Sequence, residues 1–139
     1  MSIVVDASAL LCLAFDDEGL PYGTALIDAV RDVGGLAPPI LWYELRNALV
    51  VNERRGRIQP ERSTAFLILL GELPIVLQPL PPDAGVLDLA RRLRLSVYDA
   101  SYLELAVREG SPLATLDSTL REAARAVNTE FWEPPKPRT

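Results

Sequence analysis

The sequence contains no histidine, one cysteine and one lysine among its 139 residues. A Ser-His-Asp or Cys-His catalytic arrangement needs an imidazole base, so this chain cannot form one. Zinc sites draw mainly on His and Cys ligands and are excluded for the same reason. The lysine, Lys136, lies in the C-terminal tail, and no GxxxxGK[ST] string is present, which excludes a P-loop. Oxygen-bearing side chains remain as the candidate ligands and bases.

Long apolar runs are also missing. No stretch approaches the roughly 18 apolar residues that can cross a bilayer, and residues 1–5 carry no basic residue before a hydrophobic stretch. One cysteine cannot form an internal disulfide. We therefore expect a soluble cytoplasmic protein with no membrane span. The net charge of −5 argues against a general nucleic-acid binder, which usually presents a basic face.

The pattern of apolar runs predicts an α/β protein. Short apolar runs alternate with longer amphipathic stretches, which is typical of βα units around a parallel sheet. With 49% hydrophobic residues, the chain can form one core, and we predict one domain over residues 1–132 and a Pro-rich tail at 133–139. The predicted strands are 2–5, 36–37, 75–78, 112–114 and 129–132. The predicted helices are 7–15, 21–33, 39–55, 60–71, 82–93, 99–109 and 118–127.

Four acidic residues interrupt apolar stretches: Asp6, Glu44, Asp99 and Asp117. Burying an unpaired carboxylate costs several kcal/mol or shifts its pKa until the group is neutral. Four such positions therefore indicate a shared partner that neutralises charge, and a divalent cation is the simplest one. Carboxylate, carbonyl and water oxygens are the ligands that suit Mg²⁺ or Mn²⁺.

The predicted elements bring these acids towards one edge. Asp6 and Asp117 follow predicted strands, and open α/β sheets bind ligands beyond the carboxyl ends of their strands. Helical periodicity directs Glu44 towards the core, and it does the same for Asp99, leaving Glu104 on the predicted solvent side. The four carboxylates are thus predicted to converge.

Each acid alone has a simpler explanation. Asp99 could be a helix N-cap, Asp6 and Asp117 could cap strand ends, and Glu44 could pair with a buried arginine. Taken together, the acids favour a metal site. Carboxylates within a few Å repel by about 3–4 kcal/mol per pair at an effective dielectric of 20, and a cation offsets this repulsion.

The segments around these acids resemble the PIN-domain family. Segments 4–8 (VVDAS), 43–49 (YELRNAL), 98–102 (YDASY) and 114–117 (ATLD) follow the family pattern in order and spacing. The resemblance runs from about residue 3 to 127 and is strongest to the VapC toxins. It implies a three-layer α/β/α PIN-like fold with a short central parallel sheet. It also implies a Mg²⁺- or Mn²⁺-dependent endoribonuclease site, in which one or two metal ions activate water for attack on a phosphodiester.

The resemblance implies a role for each acid. Asp6 and Asp99 would be the nearest metal ligands, and Asp117 a direct or water-mediated ligand. Glu44 would be an outer ligand or a base that orients water.

Three polar residues match companions of the acids in the family. Ser8, Asn47 and Thr115 would orient carboxylates or waters, although each is explained equally well as a local cap or turn residue.

Arginines are candidates for contact with RNA phosphates, although exposed arginines are often only solvated. The first group is preferred because it follows the Glu44 helix. The three groups are Arg54, Arg55 and Arg57; Arg91, Arg92 and Arg94; and Arg121 and Arg125.

The resemblance also implies partners, namely an RNA substrate, a second copy in a homodimer, and a VapB-like antitoxin that covers the site with a basic side chain. Apolar residues that a small core does not easily absorb agree with this: Leu10, Leu11, Leu13, Phe15 and Trp42.

Two alternatives stay open, a housekeeping PIN nuclease that processes RNA and a non-catalytic PIN scaffold that binds RNA or protein. A receiver domain also clusters acids, but it needs a lysine near its last strands.

Overall fold

The computed structural model describes residues 2–15 and 19–136. Four short strands form one parallel sheet in the order β3-β2-β1-β4. All three residues of β1 are buried, as expected for a central strand that is covered on both faces. The strands are β1 (Ile3–Val5), β2 (Gly35–Ala37), β3 (Ile75–Leu77) and β4 (Leu113–Ala114).

Helices flank this sheet, so the predicted three-layer α/β/α class is confirmed. Proline occupies the first turn of two of them, where its missing N–H costs nothing. The helices are α1 (Ala7–Leu10), α2 (Leu20–Val33), α3 (Ile40–Arg54), α4 (Pro60–Gly71), α5 (Asp83–Leu93), α6 (Val97–Glu109) and α7 (Ser118–Ala126). None of the helices in the described ranges has both the length and the apolar character that crossing a bilayer requires.

Three predicted elements differ from the structure by more than one residue. The helix predicted at 7–15 is the short α1 followed by a 3-10 turn at Leu11–Leu13. Helix α6 begins at Val97 rather than at Asp99, because the Ser96 hydroxyl accepts a hydrogen bond from the Asp99 N–H and caps the helix. The strand predicted at 129–132 is a single bridge between Leu113 and Phe131.

Glu104 was predicted on the solvent side of α6, and this prediction was wrong. Its side chain is buried against α5, where Gly85 has no side chain to keep the two helices apart. A Cβ atom on Gly85 would lie 3.3 Å from Cγ of Glu104. The Arg108 Nε donates to Glu104 Oε1 at 2.8 Å, so the buried carboxylate keeps a charged partner one turn away.

The strand order places a crevice next to β1. The chain passes outward from β1 through β2 to β3 and then returns to β4 on the other side of β1. Open α/β sheets bind ligands at such a reversal of strand order, beyond the carboxyl ends of the strands. The carboxyl ends of β1 and β4 therefore mark the region where a functional site is expected.

Candidate active site

Strand register brings Asp6 and Thr115 together. Val5 of β1 pairs with Ala114 of β4, so the residues that follow each strand lie side by side at the carboxyl edge. Both are almost completely buried, at 5% and 1% exposed. A carboxylate thus lies next to a hydroxyl in a place shielded from water.

Hydrogen bonds hold both oxygens of Asp6. Oδ1 accepts from the Ser8 hydroxyl at 2.7 Å and from the Ala9 N–H at 2.9 Å, and Oδ2 accepts from the Thr115 hydroxyl. The bond from Ala9 makes Asp6 the N-cap of α1, so the capping explanation and the site explanation apply to the same residue. Burial raises the pKa of Asp6 to about 6, although the bonds from Thr115, Ser8 and Ala9 oppose the shift.

Thr115 and Ser8 also bind the segment that carries Asp117. The Thr115 hydroxyl accepts from the Asp117 N–H at 3.0 Å, and the Ser8 hydroxyl accepts from the Leu116 N–H at 2.9 Å. The Asp117 Oδ1 accepts from the Thr119 N–H at 3.0 Å and so caps α7. The two hydroxyls therefore connect the ends of β1 and β4 into one hydrogen-bonded unit.

Asp99 lies in the first turn of α6 and is partly buried. A helix N-terminus favours a carboxylate because the backbone N–H groups point towards it. Burial raises the pKa of Asp99, and the nearby negative charge of Asp117 raises it further.

Glu44, on α3, receives a hydrogen bond from across the site. The Tyr102 hydroxyl of α6 donates to Glu44 Oε1 at 2.5 Å. Burial raises the pKa of Glu44, the bond from Tyr102 opposes this, and the charge of Asp99 adds to the rise. Burial, with the adjacent Glu44 carboxylate, raises the pKa of Tyr102, so its hydroxyl remains a donor.

The four acids influence one another in a chain. Asp117 raises the pKa of Asp6 and of Asp99, and Asp99 raises the pKa of Glu44. Among residues 2–15 and 19–136, however, no three His, Cys, Asp or Glu side chains form a metal-ligand group. Mg²⁺ does not require such a group, because it commonly keeps several waters and uses one or two carboxylates.

The donor set fits Mg²⁺ or Mn²⁺. An ionised carboxylate offers about four acceptor positions, and the three bonds to Asp6 leave room for one more ligand. Asp117 uses one oxygen for its cap. These ions prefer oxygen ligands, and hydroxyl groups hold the most buried carboxylate, that of Asp6, in a fixed position.

The other predicted residues lie in different surroundings. Asn47 is exposed on α3, and within the described ranges no hydrogen bond joins it to an acid. Arg121 was a candidate for RNA contact, but its side chain is engaged within the protein, on the carbonyl of Thr115. The first arginine group is exposed, which phosphate contact requires: Arg54, Arg55 and Arg57.

Sequence reasoning missed the role of Tyr102. The residue is 1% exposed, and the hydroxyl, the only polar atom of its side chain, reaches Glu44. The available signal was its position three residues after Asp99, which places both side chains on one face of α6.

Comparisons with known proteins agree with the fold. A protein-family model described as PIN domain matches residues 3–126. Ribonuclease VapC3 of Pyrobaculum aerophilum is 32% identical over 133 residues, and the alignment covers 93% of this chain and 99% of that protein. The crystal structure of PAE2754 from Pyrobaculum aerophilum superposes with a TM-score of 0.71 at 29% identity, covering 88% of this chain and 86% of that chain.

Proposed function

The chain belongs to the PIN-domain family, and we propose that it is a Mg²⁺- or Mn²⁺-dependent endoribonuclease, the toxin of a VapBC-type toxin-antitoxin pair. The observation that carries the proposal is the position of Asp6. A carboxylate that is 5% exposed, receives three hydrogen bonds and lies within the influence of the negative charge of Asp117 is costly to fold unless it serves a cation. The similarity to Ribonuclease VapC3 supports RNA as the substrate.

The residues have separate roles in this proposal. Asp6 and Asp99 would hold the metal, with Asp117 as a direct or water-mediated ligand. A bound Mg²⁺ or Mn²⁺ would polarise the phosphodiester and stabilise charge on the leaving oxygen. Glu44 would orient the attacking water and accept its proton, because its raised pKa brings it closer to the pH at which the protein works. Tyr102 would keep the Glu44 carboxylate in place for that step.

RNA has to approach a protein whose net charge is −5. Arg54, at the end of α3, is ten residues from Glu44, which corresponds to about 15 Å along the helix. Arg55 and Arg57 follow in the exposed turn after the helix. Phosphates two or three nucleotides from the cleaved bond would reach this group, which positions the RNA without reading its sequence.

The first test is cleavage of total cellular RNA by the purified protein with Mg²⁺, with Mn²⁺ and with a chelator. We expect discrete fragments that require the metal and disappear in Asp6→Asn and Asp99→Asn. Asp32→Asn is the matched control, because Asp32 is exposed on α2. A folded wild-type protein that cleaves no RNA with either metal would overturn the nuclease proposal and favour a binding scaffold.

An apolar groove supports the proposed antitoxin partner. It lies between α3, α4 and β3, has a volume of about 170 Å³, and is lined by Leu41, Trp42, Leu45, Leu67 and Leu70 among others. Trp42, one of these lining residues, is 46% exposed. We propose that a VapB-like segment binds in this groove and presents a basic side chain to the carboxylates, and that the chain forms a homodimer.

Expression without an antitoxin separates a toxin from a housekeeping nuclease. We expect wild-type protein to stop growth, Asp6→Asn to leave growth unchanged, and Asp32→Asn to behave as wild type. The proposal includes a cytoplasmic location, where the RNA substrate is found. Normal growth with active, folded protein in the cell would favour the housekeeping alternative.

A further inference from the structure

Arg121 of α7 makes a contact that the proposed chemistry does not use. Its Nε donates a hydrogen bond to the backbone carbonyl of Thr115 at 2.8 Å. Its side chain is 24% exposed, and its Nη1 lies 3.5 Å from Glu133 Oε1. The guanidinium carbon lies 5.4 Å from the centroid of the Phe131 ring. Arg121 therefore contacts both Thr115, which directly follows β4, and the C-terminal segment that contains Phe131 and Glu133.

Thr115 is the residue that joins three parts of the acidic site. Its hydroxyl donates to Asp6 Oδ2 and accepts from the Asp117 N–H, while its carbonyl accepts from Arg121. A hydrogen bond to the carbonyl restricts the backbone of Thr115. The backbone in turn sets the position from which the Thr115 hydroxyl reaches Asp6. The contact from Arg121 thus limits where the donor to Asp6 can lie.

The C-terminal segment is itself fixed to the sheet. The Leu113 N–H donates to the Glu130 carbonyl, and the Trp132 N–H donates to the Leu113 carbonyl, each at 2.9 Å. The Trp132 ring packs edge-on against Tyr22 of α2, with centroids 5.2 Å apart. Phe131 and Glu133 are therefore held where they contact Arg121.

We propose that Arg121 is a positioning residue for the carboxylate site, and that the segment from residue 130 to 133 holds it in place. Arg121 touches none of the four carboxylates in the structure; it acts through the Thr115 carbonyl. A guanidinium suits the role, because its planar set of donors serves the carbonyl and Glu133 from one orientation and its face packs on an aromatic ring. The activity readouts of this proposal rest on the proposed function.

Arg125 provides a matched control. It lies one turn further along α7, and its guanidinium carbon is 5.1 Å from the same Phe131 ring. It is exposed, whereas Arg121 is partly buried. Replacing either arginine removes a cation from the ring, but only the loss of Arg121 releases the Thr115 carbonyl.

The test measures Mn²⁺ binding by electron paramagnetic resonance and backbone amide hydrogen exchange of the metal-free protein. Arg121→Ala should weaken Mn²⁺ binding by about tenfold or more, the range for residues that orient metal ligands. It should also speed exchange of the Asp117 N–H about tenfold, since that bond depends on Thr115. Arg125→Ala should change both by less than about twofold. Exchange at Val4 in β1 reports any global loss of stability and should stay unchanged.

Two further variants keep the test decisive. Arg121→Lys keeps the positive charge and a single donor nitrogen, so its effects on Mn²⁺ binding and on exchange should be smaller than those of Arg121→Ala. Glu133→Gln keeps Arg121 and should shift both in the same direction by less, which also serves if Arg121→Ala does not fold. Equal effects of Arg121→Ala and Arg125→Ala, or exchange that rises at Val4 and Asp117 alike, would overturn the positioning role.

RNA cleavage is measured on the same set of variants. A wild-type protein that cleaves no RNA would remove the proposed function, whereas the exchange rate at Asp117 would still decide the role of Arg121. A cleavage rate that falls with the Mn²⁺ affinity in Arg121→Ala, at unchanged RNA affinity, is the expected result.

Discussion

The Tyr102 hydroxyl donates to Glu44 Oε1 at 2.5 Å, joining residues that are 58 positions apart in the sequence. This bond connects α6, which carries Asp99, to α3, which carries Glu44. Because it favours the charged carboxylate, it keeps the pKa of Glu44 lower than burial alone would set it.

Tyr102→Phe should therefore change the pH dependence of cleavage. Phenylalanine keeps the buried ring but loses the donor, so the pKa of Glu44 rises and the acidic limb of the pH-rate profile moves to higher pH. The free energy of unfolding should fall by about 1 kcal/mol for the lost hydrogen bond. Tyr98→Phe is the control, because Tyr98 is 60% exposed beside Asp99. An unmoved acidic limb in Tyr102→Phe would show that Glu44 does not titrate in the rate.

Thr115→Val should weaken metal binding while the protein stays folded. The change removes the donor to Asp6 and the acceptor for the Asp117 N–H at nearly constant volume. Loss of such an orienting partner typically costs about 10- to 100-fold in metal affinity or activity. Thr64→Val is a matched control, since the exposed Thr64 bonds only its own helix at Pro60. Mn²⁺ titration of both variants gives the answer, and equal affinities would contradict the assigned role of Thr115.

The fold could be predicted from the sequence because its strands are short apolar runs bounded by Gly, Pro or Asp. Two of the differences show where local pattern is insufficient. The turn at Leu11–Leu13 has the same apolar pattern as an α-helix, and only the packing of the structure distinguishes a 3-10 turn. The bridge at Phe131 depends on Leu113, a partner that local pattern does not identify.

The acids of the candidate site could be predicted as a group because carboxylates in apolar runs conflict with the cost of burial. Their supporting contacts were harder to predict. Tyr102 is an aromatic residue on an apolar helix face, a pattern that indicates core packing just as well. Arg121 binds a backbone carbonyl, and a backbone acceptor leaves no mark in the sequence. Glu104 was misplaced because Gly85 lets α5 cover it.

RNA affinity should depend on one arginine group more than on another of equal charge. The triple variant of Arg54, Arg55 and Arg57 to alanine should bind RNA more weakly than the triple variant of Arg91, Arg92 and Arg94. Each variant removes three positive charges, so a difference reports position rather than net charge. Each phosphate contact releases counterions and so adds to the salt dependence of binding. The slope of log K against log salt concentration should therefore become smaller in magnitude by about 2 when three contacts are lost.

Fluorescence anisotropy with chelator present measures this binding without cleavage, over a range of salt concentrations. Arg92 already pairs with Asp88 at 3.0 Å, which makes the second group the less available one. Equal losses in the two triple variants would show that RNA responds only to overall charge.

Stability of the metal-free protein should fall as pH rises from about 4 to 6. The pKa of Asp6 rises from an ordinary 3.8 to about 6 on folding, so the folded state binds this proton more tightly than the unfolded chain does. Its contribution to stability is complete below the unfolded pKa and is lost as pH rises through the folded one. The shift corresponds to about 3 kcal/mol at most. Urea unfolding between pH 4 and 7, with chelator, measures it.

Asp6→Asn and added metal separate the causes of this pH dependence. Asparagine cannot ionise, so the decline should become shallower, while the decline due to Asp99 and Glu44, whose pKa values are also raised, persists. Mg²⁺ at 100 times its dissociation constant should raise the free energy of unfolding of the wild type by about 2.7 kcal/mol at pH 7. The same concentration should raise that of Asp6→Asn much less. Equal stabilisation of both proteins would mean that Mg²⁺ binds away from Asp6, because a ligand stabilises only through the site it occupies in the folded state.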